Sequence, residues 1–284
     1  MKKFKRAGSV FLMAVMMGVL VFGCSSNEDE KRADAKDGAK TEVQDAEDEG
    51  AEEPAKLLVA AAASLEYSYE DELIPMFEEE NPNITVEGTY DSSGKLQTQI
   101  EEGIEADVFM SAAMMQMNAL VDEDLVDKDS VVKLLENKIV LIASADSVLD
   151  LQEFTDITKA GSIAIGDPAS VPVGQYSQEA LTSLGIWDEV SAKASLGTNV
   201  TEVLNWVAEG SAEAGIVYAT DAATTDKVKV VAEAPEGSLA EKAIYPVGVV
   251  SASAQKEAAE KFVDFLQSDK AIAVFEKYGF IQNK

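Results

Sequence analysis

From residue 57 onward, short apolar runs alternate with longer segments whose apolar residues recur every three or four positions. The first run, residues 57–61, has the length and composition of a buried strand. After it, apolar residues spaced four apart, from Leu65 to Phe77, mark one face of a helix. Alternation of this kind is typical of strand–helix–strand units built around parallel sheets. The sequence therefore predicts an α/β fold.

Further apolar or β-branched runs in this region are also predicted to be strands. They are residues 84–88, 107–110, 139–143, 162–166, 214–218 and 245–250. Near the end of the chain, a single amphipathic helix is predicted to carry Phe262, Phe265 and Phe275 before Gly279. Its apolar face is typical of a helix that covers a sheet.

About 230 residues of this pattern can form one sheet or two lobes, and two lobes fit better. Because the last helix has the face of a cover helix, we expect the chain to begin and end in the same lobe. We predict lobe 1 at residues 55–138 and 247–284, and lobe 2 at residues 139–246. Residues 139–143 and 245–250 would then be the two crossing strands of a hinge.

The first 54 residues have a different character. A basic start leads into an uncharged apolar run of 13 residues, 10–22, which is too short to span a bilayer and suits a signal peptide. The run stops at Val-Phe-Gly-Cys, which resembles a lipoprotein lipobox, so we expect residues 1–23 to be removed and Cys24 to be lipidated. Residues 24–54 are strongly acidic and nearly free of large apolar side chains, which predicts a flexible tether.

Composition excludes several classes of function. The chain has no histidine, which removes Ser-His-Asp and Cys-His catalysis and the commonest zinc ligand sets. Its single cysteine, Cys24, cannot form an intramolecular disulfide or a Cys-x-x-Cys redox motif. A formal charge of -29 argues against a nucleic-acid partner, because phosphate contacts need clusters of lysine and arginine.

Four predicted strand-to-helix turns share small and polar residues at the start of a helix. They are residues 61–65, 91–95, 166–174 and 197–200. Each serine in them could simply cap its helix. However, every helix start leaves unpaired N–H groups with a partial positive charge, and ligands of α/β sheets bind where these turns lie. Four helix starts directed into one cleft would bind an anion without any lysine or arginine.

Six short motifs, three of them in these turns, occur in a specific order along the chain. They are Ala-Ala-Ala-Ser-Leu, Ser-Ser-Gly, Ala-Asp-Val-Phe-Met-Ser-Ala, Ile-Gly-Asp-Pro-x-x-Val-Pro-x-Gly, Gly-Ile-Val-Tyr-x-x-Asp-Ala and Phe-x-x-Tyr-Gly-Phe. As a set they resemble the periplasmic molybdate-binding proteins, the substrate-binding components of molybdate ABC transporters. The similarity runs from about residue 57 to residue 282.

The resemblance implies a two-lobed fold of the periplasmic-binding-protein type and a protein that is not an enzyme and uses no cofactor. It implies an extracytoplasmic, membrane-anchored monomer that delivers molybdate or tungstate to an ABC permease. In that family, two serines, two backbone N–H groups and a tyrosine hydroxyl hold the tetrahedral oxyanion. On this chain those positions correspond to Ser64, Ser93, Val173, Val200 and Tyr218.

One residue fits the resemblance poorly. Asp91 directly precedes the serine pair, and a carboxylate near a dianion is unfavourable, so we expect its side chain to point to solvent.

Other functions remain open on sequence alone. The same fold could bind sulfate, phosphate or a small organic anion, because fold does not determine ligand. Residues 92–95 match Ser-x-x-Lys, the nucleophile motif of penicillin-binding proteins and β-lactamases, although the companion motifs Ser-Asp-Asn and Lys-Thr-Gly are absent from the chain. A lipid-anchored scaffold with an empty cleft is a third possibility, but a scaffold has no use for serine-rich turns at helix starts.

Overall fold

The structure, a computed structural model, describes residues 54–284. Strands and helices alternate through this part of the chain. The strands are β1 (Ala55–Ala62), β2 (Ile84–Asp91), β3 (Val108–Met110), β4 (Val132–Asn137), β5 (Ile139–Ser144), β6 (Ile163–Gly166), β7 (Ala194–Gly197), β8 (Ala214–Tyr218), β9 (Val228–Glu233), β10 (Ala243–Val249) and β11 (Ile281–Gln282).

The α-helices are α1 (Glu66–Ser68), α2 (Ile74–Glu80), α3 (Ser93–Glu101), α4 (Met114–Asp122), α5 (Pro172–Ser183), α6 (Trp187–Ser191), α7 (Val200–Ala208), α8 (Ala219–Ala222), α9 (Lys256–Leu266) and α10 (Asp269–Lys277). Within the described residues, none of these helices is both long and apolar enough to cross a membrane. The predicted signal peptide, Cys24 and tether residues 24–53 lie outside the described part of the chain.

The strands form two mixed sheets. The first has the order β11-β4-β10-β3-β1-β2, with β1 parallel to β2 and β3. The second has the order β7-β6-β8-β5-β9, with β6 parallel to β7 and β8. Helices pack against both sheets, which confirms the predicted two-lobed α/β fold.

The chain passes between the sheets twice. It leaves the first sheet at the end of β4 and enters the second at the start of β5, so that Lys138 alone separates the two strands. It returns between the end of β9 and the start of β10, through residues 234–242. The predicted return at residue 247 falls inside β10, which pairs with β4 and β3 of the first sheet from Ala243 onward. The turn that precedes β10 contains Pro235 and Gly237, and Gly237 has a φ of 79°.

The helical segment after β1 changes its winding along its length. It opens with a 3-10 turn, Ala63–Leu65, passes through α1 into a π-helical turn, Tyr69–Leu73, and continues as α2. Its buried residues are spaced by four, which is more than one 3.6-residue turn, so a regular α-helix would rotate them away from the core. The wider π turn compensates, and Leu65, Leu73 and Phe77 are all fully or almost fully buried.

The predicted single C-terminal helix is wrong, because this segment forms two helices, α9 and α10. Ser268 separates them: its backbone is extended and its hydroxyl accepts a hydrogen bond from the N–H of Ala271, which caps α10. The predicted aromatic face is nevertheless buried. Phe262 packs edge-on against Tyr69 and Phe77, which ties the end of the chain to the segment that follows β1.

Candidate functional site

A narrow cavity of about 10 Å³ lies between the two lobes, where the carboxyl ends of several strands meet helix starts. All five residues carried over from the sequence line it: Ser64, Ser93, Val173, Val200 and Tyr218. The cavity is far smaller than the roughly 300–1,000 Å³ of pockets that hold drug-sized ligands. In this closed arrangement the space is about that of one water molecule, which excludes drug-sized ligands.

The first lobe contributes two serines. Ser64 follows β1, is half-buried, and has its Oγ 2.9 Å from the hydroxyl of Tyr245. Ser93 begins α3 and is fully buried, and its Oγ accepts a hydrogen bond from the N–H of Ala112 at 3.0 Å. Because the Ser93 hydroxyl already accepts, its own proton is free to be donated into the cavity.

Sequence reasoning missed a third serine in this lobe. Ser92 occupies the N-cap position of α3 and lines the cavity, but its side chain makes no capping hydrogen bond. Its Oγ is buried and has no hydrogen-bond partner among the described residues. A buried hydroxyl without a partner costs about 1–3 kcal/mol, which a bound hydrogen-bond acceptor would recover. The tandem serines at 92 and 93 were the available signal.

The second lobe contributes two helix starts and a hydroxyl. Val173 and Val200 lie in the first turns of α5 and α7, where backbone N–H groups lack helical acceptors. Tyr218 ends β8, and its hydroxyl donates to the carbonyl oxygen of Ala112 in the first lobe at 3.2 Å. Burial holds the pKa of Tyr218 well above its usual value, so its hydroxyl stays protonated and remains a donor.

The expectation that Asp91 points to solvent is wrong, because the residue lines the cavity. Its carboxylate accepts hydrogen bonds from the N–H of Ser92 at 2.7 Å and from Lys95 Nζ at 3.1 Å. The side-chain amide of Asn199, from the second lobe, lies 3.4 Å away. These donors offset the negative charge, so the carboxylate can sit at the edge of an anion cavity. No lysine or arginine lines the cavity within the described residues.

Contacts between the lobes surround the cavity. The N–H of Gly94 donates to the carbonyl oxygen of Ser170 at 3.0 Å, and the amide of Gln116 donates to that of Gln175 at 3.0 Å. A Cβ at position 94 would lie 2.3 Å from the Ser170 oxygen and 2.8 Å from its Cα. Closure at this point therefore requires glycine.

The sequence profile of the bacterial extracellular solute-binding proteins matches residues 57–281. The chain belongs to this family. The solute-binding function and the fold expected from the sequence are confirmed by this match and by the relatives below.

Relatives with known names agree with this assignment. A Bacillus subtilis protein, provisionally named the ABC transporter substrate-binding lipoprotein YvgL, is 37% identical over 96% of this chain and 97% of its own length. The molybdate-binding protein ModA of Haemophilus influenzae is 37% identical over 80% of this chain and 90% of its own.

A solved structure shows the same relationship. It is a substrate-binding domain, provisionally assigned to a molybdenum ABC transporter of Clostridium difficile, with a TM-score of 0.63 and 37% identity. The match covers 81% of this chain and 100% of that domain.

Proposed function

We propose that this protein captures molybdate, or tungstate, outside the cytoplasm and delivers it to an ABC importer. The observation that carries the proposal is the convergence of neutral hydrogen-bond donors from both lobes on one small cavity. The similarity to proteins named for molybdate binding supports the choice of ligand.

The proposed ligand contacts follow from the donors present. Molybdate and tungstate are fully deprotonated dianions and offer only acceptors. The hydroxyls of Ser64 and Ser93, the N–H groups of Val173 and Val200, and the hydroxyl of Tyr218 would donate to them. Tyr218 would exchange its present bond to a backbone carbonyl for one to the ligand. The partial positive charge of the helix starts supplements these bonds.

Titration calorimetry with molybdate, tungstate, sulfate and phosphate tests the proposal. Hydrogenphosphate carries a proton that needs an acceptor, and the one carboxylate lining the cavity, that of Asp91, already accepts from Ser92 and Lys95. Burying an unpaired donor costs about 1–3 kcal/mol, so we expect phosphate to bind about 5–150 times more weakly than molybdate. Sulfate is smaller and should bind with stretched hydrogen bonds. Phosphate or sulfate binding as tightly as molybdate would contradict the proposed ligand.

Removing one serine hydroxyl should weaken binding without unfolding the protein. A hydrogen bond to a charged group contributes about 1.5–3 kcal/mol, so we expect Ser64→Ala and Ser93→Ala each to raise the Kd by about one to two decades. Ser191→Ala, which removes an exposed hydroxyl at the end of α6, is the matched control. A serine whose loss changes the Kd less than twofold has no part in binding.

The Ser-x-x-Lys alternative is not favoured by the geometry. Lys95 Nζ binds the carboxylate of Asp91, and the Ser92 hydroxyl has no hydrogen-bonded base among the described residues. A nucleophilic serine needs such a base to accept its proton.

The proposal includes a lipid anchor at Cys24 and a tether formed by the residues that follow it. The lipobox-like sequence and the lipoprotein name of the Bacillus subtilis relative support it. We expect Cys24→Ser either to release the protein from membranes or to leave it unprocessed. Fractionation and mass measurement of the intact chain distinguish these results. A variant that stays in the membrane fraction and still lacks residues 1–23 would contradict the anchor.

A further inference from the structure

A chain of buried hydrogen bonds leads from the cavity to the point near Lys138 where the chain passes between the lobes. It joins Ser64 to Tyr245 in β10, Tyr245 to Asn137 at the end of β4, and Asn137 to Thr220 in α8. Tyr245 is fully buried, and Asn137 and Thr220 are more than nine-tenths buried. Buried networks of this kind are costly unless every member is satisfied, so the direction of each bond matters.

The orientation of the Asn137 amide is fixed by its neighbour. The backbone N–H of Lys138, which can only donate, lies 2.8 Å from Asn137 Oδ1. The other end of the amide must therefore be its NH2 group. That group donates to Thr220 Oγ1 at 2.9 Å and to the hydroxyl oxygen of Tyr245 at 3.2 Å.

Asn137 in turn narrows the bonding of Tyr245, because its NH2 group occupies one of the two acceptor positions of the hydroxyl oxygen, although in the Ser64–Tyr245 pair either oxygen can donate. The Tyr245 oxygen accepts this hydrogen bond from Asn137, and Tyr245 donates its own proton to another neighbour. Burial and the neighbouring Asp221 carboxyl keep the pKa of Tyr245 well above its usual value, so this proton is not lost. Its neighbours are the hydroxyls of two residues that line the cavity, Ser64 at 2.9 Å and Tyr218.

We propose that Asn137 and Tyr245 are positioning residues that make Ser64 a donor, and not an acceptor, toward the bound oxyanion. When Tyr245 donates to Ser64 Oγ, the only proton on Ser64 is free for the ligand. An oxyanion that carries a proton at this position would place two protons face to face. This relay, formed by Asn137, Tyr245 and Ser64, thus selects fully deprotonated anions. The inference rests on the proposed function, because the relay acts on the proposed ligand donor Ser64.

The decisive variant is Tyr245→Phe, which removes the hydroxyl and keeps the buried ring. Without the Tyr245 proton, Ser64 can rotate and accept from a protonated ligand. We expect molybdate affinity to fall about threefold to tenfold and the molybdate-to-phosphate affinity ratio to fall at least tenfold, measured by titration calorimetry. A purely structural loss would weaken both anions equally and leave the ratio unchanged.

Two controls isolate the relay. Tyr69→Phe also removes a buried hydroxyl from the first lobe, one that donates to Met110 Sδ, and should leave the ratio unchanged. In a Ser64→Ala background, Tyr245→Phe should no longer change the ratio, because the residue through which it acts is missing. An unchanged ratio in the single variant, or the same change in both backgrounds, would overturn the relay.

The wild-type titration separates this inference from the proposed function. If the wild type binds sulfate but not molybdate, the proposed ligand is wrong, and the ratio of sulfate to phosphate tests the relay in the same way. If the wild type binds no oxyanion, both are wrong. If it binds molybdate and Tyr245→Phe leaves the ratio unchanged, only the relay is wrong.

Discussion

Gly94→Leu should reduce oxyanion affinity by about three decades while both lobes stay folded. The atoms nearest to an added Cβ all belong to Ser170 in the second lobe. The added side chain should therefore obstruct closure of the lobes without disturbing the packing within the first lobe. A separated second lobe cannot offer the N–H groups of Val173 and Val200 or the hydroxyl of Tyr218. Three hydrogen bonds to a charged ligand are together worth at least about 4 kcal/mol, which corresponds to this loss.

Calorimetry measures the affinity, and circular dichroism with thermal unfolding checks the fold. Gly94→Ala should cause a smaller loss, because a single methyl group needs less separation of the lobes. Thr98→Leu adds the same side chain one turn later on an exposed position of α3 and should bind like the wild type. If Gly94→Leu binds within tenfold of the wild type, closure does not depend on this contact.

Asp221→Asn should remove a large pH-dependent loss of stability. Asp221 is buried, and its Oδ2 has no hydrogen-bond partner among the described residues. Burial, opposed by smaller hydrogen-bond effects, raises the pKa of Asp221 from 3.8 to about 7. The native state therefore holds this proton more tightly than the unfolded state, and the free energy of unfolding falls as the pH rises from about 4 to about 7.

Three pKa units correspond to about 4 kcal/mol, which is a large part of a typical domain's stability. Denaturant unfolding at several pH values measures this effect as the difference between wild type and Asp221→Asn. Between pH 4 and pH 7, we expect the free energy of unfolding of the variant to rise by about 4 kcal/mol relative to that of the wild type. Above pH 7 the difference should stay constant. Asp226→Asn, an exposed change shortly after α8, is the matched control. A difference that does not vary with pH would show that Asp221 is solvated or paired.

The residues that line the cavity could be predicted from the resemblance because their positions depend on local chain geometry. Ser64, Ser93 and Val200 each stand at a strand-to-helix turn that the sequence marks with small and polar residues. Their convergence follows from the parallel strands within each lobe, which end at the same edge of a sheet. Strand β8 was predicted with its observed bounds, because all of its residues are buried and apolar or small.

The remaining features depend on partners that are distant in the sequence. The inward position of Asp91 depends partly on Asn199, 108 residues away, and the orientation of Ser64 depends on Tyr245. The edge strands of the second sheet, β7 and β9, were also missed, because they carry many exposed residues and have little apolar signal. The break between α9 and α10 had a local signal, because Ser268 is a serine at a helix start. It was missed because the strong apolar period continues on both sides of it.

The single residue between β4 and β5 has a mechanical consequence. So short a link resists stretching, so opening of the lobes should be a swing about a pivot at Lys138. Residues beside the pivot, such as Asn137 and Thr220, would then travel least, and Gly94 and Ser170, which meet across the lobes, would separate. The distance between probes at Gly94 and Ser170 should change when ligand binds, whereas the distance between probes beside the pivot should not.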